Sequence, residues 1–276
     1  MTPAGPVTEP VTARRLGAVH LTVTDLDRSV GFMQDAIGLR LHRREDANGG
    51  LAHAAMGAGG EDVVVLHEDP GARPPGRTAG LFHFALLFPS REELARSLQR
   101  LAATRTPIAG ASDHGVSEAI YLDDPDGNGI ELYVDRPREA WPPPRREGER
   151  VGMFTEPLDL RDLLATIEGQ EPTRHAEEGL RLGHMHLHVA NVDEAVRWYA
   201  GELGLEEMTR YPGAGFVAWD GYHHHLGINT WRGEGVPPAP EGSVGLRHWV
   251  VHTDDAGAEP RMLRDPSGNA VLLTPA

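Results

Sequence analysis

Two imidazoles and one carboxylate stand out in this chain. His20, His83 and Glu131 each sit in a short segment of alternating apolar residues: 18–23 (AVHLTV), 81–88 (LFHFALLF) and 129–134 (GIELYV). Side chains alternate faces along a strand, so Val19, Leu21 and Val23 point one way and His20 and Thr22 the other. The same rule sets Phe82, Phe84 and Leu86 against His83, and Ile130, Leu132 and Val134 against Glu131 and Tyr133. If the apolar faces pack on helices, His20, His83 and Glu131 project together from the concave side of a curved sheet. Two histidines and a carboxylate in that arrangement hold a divalent metal and leave coordination positions open. Fe(II) is the expected ion, and Mn(II) accepts the same donors. A lone strand histidine is usually structural; three such positions, each at a matching place in a repeated unit, favour a site.

The elements around these residues are duplicated. Residues 16–39 (LGAVHLTVTDLDRSVGFMQDAIGL) and 182–205 (LGHMHLHVANVDEAVRWYAGELGL) align without a gap, which puts His20 on His186 and Gly38 on Gly204. Gly80-Leu81-Phe82-His83 is answered by Gly245-Leu246-Arg247-His248, and the DPDGNGIE of 124–131 by the DPSGNAVL of 265–272. The second copy therefore has Leu272 where the first has Glu131. Within the first copy, a strand at 18–23 leads into a helix with an acidic cap at Asp25 and Asp27 and an end at Gly38. Strands at 40–44, 51–57 and 62–67 complete a β-α-β-β-β unit. A Pro/Gly-rich stretch at 70–80 separates it from a second such unit, whose helix at 90–103 starts on a capping box of Ser90 and Glu93.

These patterns predict an α+β fold of tandem βαβββ modules forming two curved-sheet, half-barrel domains. The N-terminal domain is 12–135 with the metal site, 136–179 is a Pro-, Arg- and Glu-rich linker with a short helix near 158–167, and 180–276 is a degenerate C-terminal domain. His83 lies 41 residues before Asp124, but His248 only 17 before Asp265, a shortfall of 24. That is about one helix and one strand, so the fourth module is expected to be truncated.

Composition narrows the chemistry. Cysteine is absent, which removes disulfides, thiolate catalysis and thiolate-ligated metals. Every basic side chain is Arg, so Schiff-base chemistry has no lysine amine. A formal net charge of −15 disfavours nucleic acid and anionic membranes as partners. No stretch approaches the roughly 18 apolar residues of a membrane span, and the polar start, 1–15, lacks a signal-peptide core, so a cytoplasmic protein is expected. Edge strands of curved sheets can pair between copies, which makes a homo-oligomer compatible with the fold.

With His20 and His83 in first strands of units and Glu131 in a last strand, the chain resembles the vicinal oxygen chelate superfamily (glyoxalase, bleomycin resistance, extradiol dioxygenase). Within it the resemblance is to type I extradiol catechol 2,3-dioxygenases. It implies His20, His83 and Glu131 as metal ligands. It also implies Tyr121, ten residues before Glu131, as the residue that hydrogen-bonds the bound diol, and His114 as a substrate-pocket histidine. The implied activity is cleavage of catechol or a substituted catechol beside the diol with O2, giving a 2-hydroxymuconic semialdehyde; the implied partners are a small aromatic diol and O2. The family's acid/base histidine belongs in the last strand of the preceding unit, where the first copy shows only Gly60-Glu61-Asp62-Val63, so the base stays open. Alternatives on the same fold are a glyoxalase-like metal-dependent isomerase or transferase and a non-catalytic binder of aromatic drugs. The loops at 46–50 and 70–80 are expected to shape the pocket. In the second copy His186, His223, His224, His225 and His248 could form a second metal site or a structural network.

Overall fold

The computed structural model describes residues 14–46, 51–254 and 257–276. The start of the expected first domain, the polar N-terminal residues and most of the 46–50 loop lie outside these. The chain runs β1 (Arg15–Val23), α1 (Leu26–Phe32) with a π-helical turn (Met33–Ile37), then β2 (Arg40–Glu45), β3 (His53–Gly57) and β4 (Val64–Glu68). The second unit is β5 (Gly80–Leu87), α2 (Arg91–Thr104), β6 (Gly110–Asp113), β7 (Ser117–Asp123) and β8 (Gly129–Asp135). The linker holds a single 3-10 turn, β9 (Glu156–Pro157) and α3 (Leu160–Ala165). The third unit is β10 (Arg181–His188), α4 (Val192–Leu203), β11 (Glu206–Tyr211), β12 (Ala214–Ala218) and β13 (Leu226–Asn229). The fourth is β14 (Gly245–Thr253), β15 (Arg261–Arg264) and β16 (Ala270–Pro275), and among the described residues it lacks the helix and first return strand of its counterpart.

Helix boundaries follow local chemistry. Asp25, Ser90 and Asn191 each accept a hydrogen bond from the backbone N–H three residues on, which satisfies a free donor at the helix start. Gly38 and Gly204 end the first and fourth helical segments in the left-handed region. The reciprocal half of the expected capping box does not form, because the Glu93 carboxylate bonds Arg96 and the N–H of Glu177 instead.

The units do not pair in the order in which they are joined. One sheet runs β15-β16-β14-β1-β4-β3-β2 and the other β11-β12-β13-β10-β5-β8-β7-β6-β9. Unit one therefore shares a half-barrel with unit four, and unit two with unit three. The expected division into 12–135 and 180–276 is corrected accordingly: each sheet draws one unit from each half of the chain. The two joints repeat one another. In the smaller sheet β1 and β14 are antiparallel with His20 opposite His248, and in the larger β10 and β5 are antiparallel with His186 opposite His83. The apolar strand faces (Val19 and Leu21, Phe84 and Leu86, Met185 and Leu187, Trp249 and Val251) join one continuous core with the helices.

In the smaller sheet His20 meets His67 (Nδ1 to Nε2, 3.0 Å) and stacks on His248 with ring centroids 4.0 Å apart. Burial and the neighbouring imidazoles pull His20 down to about 3, and burial is the first cause holding His67 and His248 at about 4. These folded values lie below the 6.5 of an unfolded histidine. The unfolded chain thus binds more protons below that pH, and the stability these residues contribute, full above 6.5, is lost as pH falls toward 4. Between pH 6.5 and 5 few carboxylates titrate, so histidines set the slope. The urea midpoint is expected to drop between pH 7.5 and 5 at constant m-value, and less so in His20→Asn; a pH-independent midpoint would refute the assignment.

Candidate metal centre

The structure brings His83 and Glu131 together and supplies a different third donor. His83 Nε2 and His184 Nε2 lie 3.0 and 3.1 Å from Glu131 Oε2, and all three ligand atoms fall within 4.8 Å of one another. His20 belongs to the other sheet, beside His248, so its expected membership of this set is corrected. The reason is topological: the partner of unit two across the half-barrel is unit three.

Register explains how the donors converge. Glu131 lies beside Ala85 across the parallel β5–β8 pair, and Ala85 lies opposite His184 across the antiparallel β5–β10 pair. Tyr121 continues the same row on the far side of Glu131. His83 is two residues before Ala85 on β5 and so shares its face. Ala85, fully buried, offers only a methyl group beneath the donors. Two irregularities also shape the joint. Gly183 sits where the β10–β5 register shifts, and a Cβ there would come within 2.0 Å of the Tyr133 hydroxyl. Phe82 falls at the other shift, and this bulge turns it into the cavity against His83, His186 and Trp231 rather than onto the helix side that strict alternation predicts.

The donor set suits a cation. Burial alone would raise the Glu131 carboxyl, but the His184 and His83 imidazoles outweigh it and hold the group well below the usual range. Burial, ahead of charge effects, lowers His184 to about 4. Glu131 is therefore ionised and His184 neutral, the states in which both have lone pairs to give. His83 Nε2 is buried with no hydrogen-bond partner of good geometry, although it sits 3.0 Å from the carboxylate. Such an orphaned nitrogen costs about 1–3 kcal/mol, which a bound cation would recover.

The donors open onto a cavity of about 490 Å³ lined by Phe82, Phe154, Tyr211, Phe216 and Trp231 along with Tyr121 and His114. The Nδ1–H of His114 donates to the Phe154 carbonyl (3.0 Å), so Nε2 carries the lone pair and accepts from the Tyr121 hydroxyl (2.7 Å). Burial and the nearby Glu131 push the Tyr121 phenol well above its usual range, so it keeps its proton. Met153, Phe154 and Thr155 come from the 136–179 linker. The 70–80 loop lines a separate, polar cleft with Arg232, Arg247 and Arg264. His224, in the turn before β13, also lines the cavity and packs on His184 with ring centroids 4.1 Å apart. His224 thus lies two residues before the last strand of the unit that pairs with unit two.

The signal for His184 lay in the repeat itself. The gapless alignment sets Ala18 against His184, and alternation puts His184 on the face of His186.

The Glyoxalase/Bleomycin resistance protein/Dioxygenase superfamily model matches residues 15–132. The chain is 40% identical over 241 residues to a catechol-2,3-dioxygenase of Bacillus subtilis (strain 168), which covers 86% of this chain and 81% of that protein. In fold it resembles a putative dioxygenase from Bacillus subtilis (TM-score 0.61, 13% identity, covering 93% of this chain and 84% of that one). It is likewise similar to glyoxalase I from Zea mays (TM-score 0.58, 16% identity, covering 95% and 92%).

Metal binding is expected to separate the two sheets. His184→Ala is expected to weaken Fe(II) or Zn(II) affinity by more than about 100-fold, since even residues that only support ligands cost about 10–100-fold, whereas His20→Ala should leave it unchanged by titration calorimetry. Equal losses in both variants would count against a centre in the larger sheet. From the donors, the register and these likenesses together, the chain belongs to the glyoxalase/bleomycin resistance protein/dioxygenase superfamily.

Proposed function

We propose that this protein is a non-haem Fe(II) extradiol dioxygenase that opens catechol or a substituted catechol beside the diol with O2. The observation that carries the reading is the convergence of His83, His184 and Glu131 on one wall of an aromatic cavity of about 490 Å³, with the Tyr121–His114 pair beside them. The 40% identity to a protein named catechol-2,3-dioxygenase supports the same class. Iron held by His83, His184 and Glu131 would supply open coordination positions and the redox chemistry that dioxygen requires.

The remaining work falls to the protein's own groups. Phe82, Phe216 and Trp231 offer ring faces and edges to an aromatic substrate and keep water from the cavity. Tyr121 lies next to Glu131 across the strand pair, within reach of an oxygen placed between the donors, and His114 fixes its hydroxyl. We assign Tyr121 and His114 to orienting the diol and shuttling its proton. His224 is the acid/base group: burial first, then His184, keeps it neutral, which is the form that accepts a proton. A glyoxalase-type centre would call for a second carboxylate or amide, and the described donor group contains one carboxylate only.

Protein purified without oxygen and loaded with Fe(II) is expected to turn catechol yellow on admission of air, through the ring-opened semialdehyde. Tyr121→Phe should lower kcat by about 10²-fold, the usual scale of one proton-transfer group. No colour from iron-loaded wild type across several catechols would overturn the proposal.

A further inference from the structure

The run Tyr222-His223-His224-His225 places only one of its three imidazoles against the cavity. Behind it a hydrogen-bonded chain runs from the fully buried His223 to the half-buried Tyr222 and Asp135. Glu131, Tyr133 and Asp135 alternate along β8 and share its concave face, so the strand that carries a metal donor also carries a second carboxylate two turns of the pleat away. Asp135 Oδ1 lies 2.8 Å from His223 Nε2, and both its oxygens accept from the Tyr222 hydroxyl at 3.0 and 2.9 Å. Tyr133 in turn donates to the Tyr222 oxygen at 2.8 Å, because the single Tyr222 proton is already given to Asp135. His223 is fully buried, and its Nδ1 lies 2.8 Å from His224 Nδ1.

Proton counting gives this chain a direction once His223 carries one ring proton. A carboxylate only accepts, so the nitrogen facing Asp135 must be Nε2–H. With that single ring proton His223 has its lone pair on Nδ1, and the 2.8 Å contact is then made by His224 donating from its own Nδ1–H. The lone pair of His224 is left on Nε2, the nitrogen remote from His223 in a ring that lines the cavity. A second proton on His223 would reverse the arrangement and put N–H on His224 Nε2.

We propose that Asp135 is a positioning residue that, through His223, holds His224 in the Nδ1–H tautomer and so presents its Nε2 lone pair to the substrate hydroxyl. The role rests on the ring-cleavage reading; the tautomer does not. Tyr222 and Tyr133 hold the Asp135 carboxylate in place, and Tyr133 also forms the floor of the donor set beside His184, with ring centroids 4.8 Å apart. One strand thereby couples the metal wall to the base. A carboxylate that only selects a tautomer is worth a large rate factor without touching substrate, since the wrong tautomer offers N–H where a base is needed.

The test begins with the wild-type protein loaded with Zn(II), whose histidine ring nitrogens are read by heteronuclear NMR and assigned to His224 by comparison with His224→Gln. The expected spectrum shows Nδ1–H at His224, and Asp135→Ala should move it toward Nε2–H. In the Fe(II) enzyme Asp135→Ala should lower kcat on catechol by about 10²-fold or more, with KM within about threefold and iron content unchanged, and Asp135→Glu should recover part of the loss. An Nε2–H signature at His224 in the wild type, or a signature that Asp135→Ala leaves unmoved, overturns the proposal without needing any variant to be active. Should wild type cleave no catechol while the tautomer behaves as stated, the relay stands and the ring-cleavage reading falls.

Discussion

The antiparallel pairing of β5 with β10 is the constraint on which the site depends. It places His186 opposite His83 and His184 opposite Ala85, and the parallel β5–β8 pair then sets Glu131 beside Ala85. Sliding this joint by one residue would send His184 to the core face and an apolar neighbour into the cavity. The joint is pinned from both sides. Met185 and Leu187 are fully buried beneath it, and Gly183 passes so close to the Tyr133 hydroxyl that no side chain fits. The same packing that stabilises the half-barrel therefore sets the donor geometry, and fidelity at the centre comes from strands rather than loops.

The turns bind the two half-barrels to each other by a repeated device. Asp124 accepts from the N–H groups of Asp126 and Asn128, and Asp265 from those of Ser267 and Asn269. The outward residue of each turn then reaches the opposite sheet: Asp126 takes the Thr24 N–H and hydroxyl, and Ser267 takes the Ala190 N–H. Each turn thus fastens the start of a helix in the other unit of its own half of the chain, a unit that lies in the opposite sheet. Burial raises the carboxyls of Asp124 and Asp265 while their own turn donors oppose it, which is the signature of a group kept for local geometry. Chain connectivity and spatial pairing are crossed, and these clasps are among the contacts that hold the crossing.

Much of this was legible in the residues. Alternation put His83 and Glu131 on a concave face and His184 on the face of His186, and the 24-residue shortfall foretold a truncated fourth unit. The partner of unit two was not legible, because strand pairing between units is decided by burial of faces that look alike in every unit. Phe82 misled for a related reason: a bulge adds a residue and resets alternation, and nothing in GLFH marks where it falls. The linker's part in the cavity was also hidden, since Phe154 contributes a backbone carbonyl to His114, and carbonyls leave no trace in side-chain chemistry.

Yet the crossing had left a mark. The aligned copies differ at two donor positions, Ala18 against His184 and Leu272 against Glu131. Taken along the chain, each half has one donor and one apolar residue, and neither half looks whole. Taken by sheet, both apolar residues belong to units one and four and both donors to units two and three. Had units paired in chain order, each half-barrel would carry half a site, and nothing physical would favour losing one donor in each. With crossed pairing, the loss of one donor in the smaller sheet removes the benefit of keeping the other, so the two replacements belong together. His20, His67 and His248 crowd the corresponding face of the smaller sheet, uncharged and hydrogen-bonded or stacked. The apolar side of the same sheet, with Val19, Leu21, Trp249 and Val251, joins the core shared with the larger sheet.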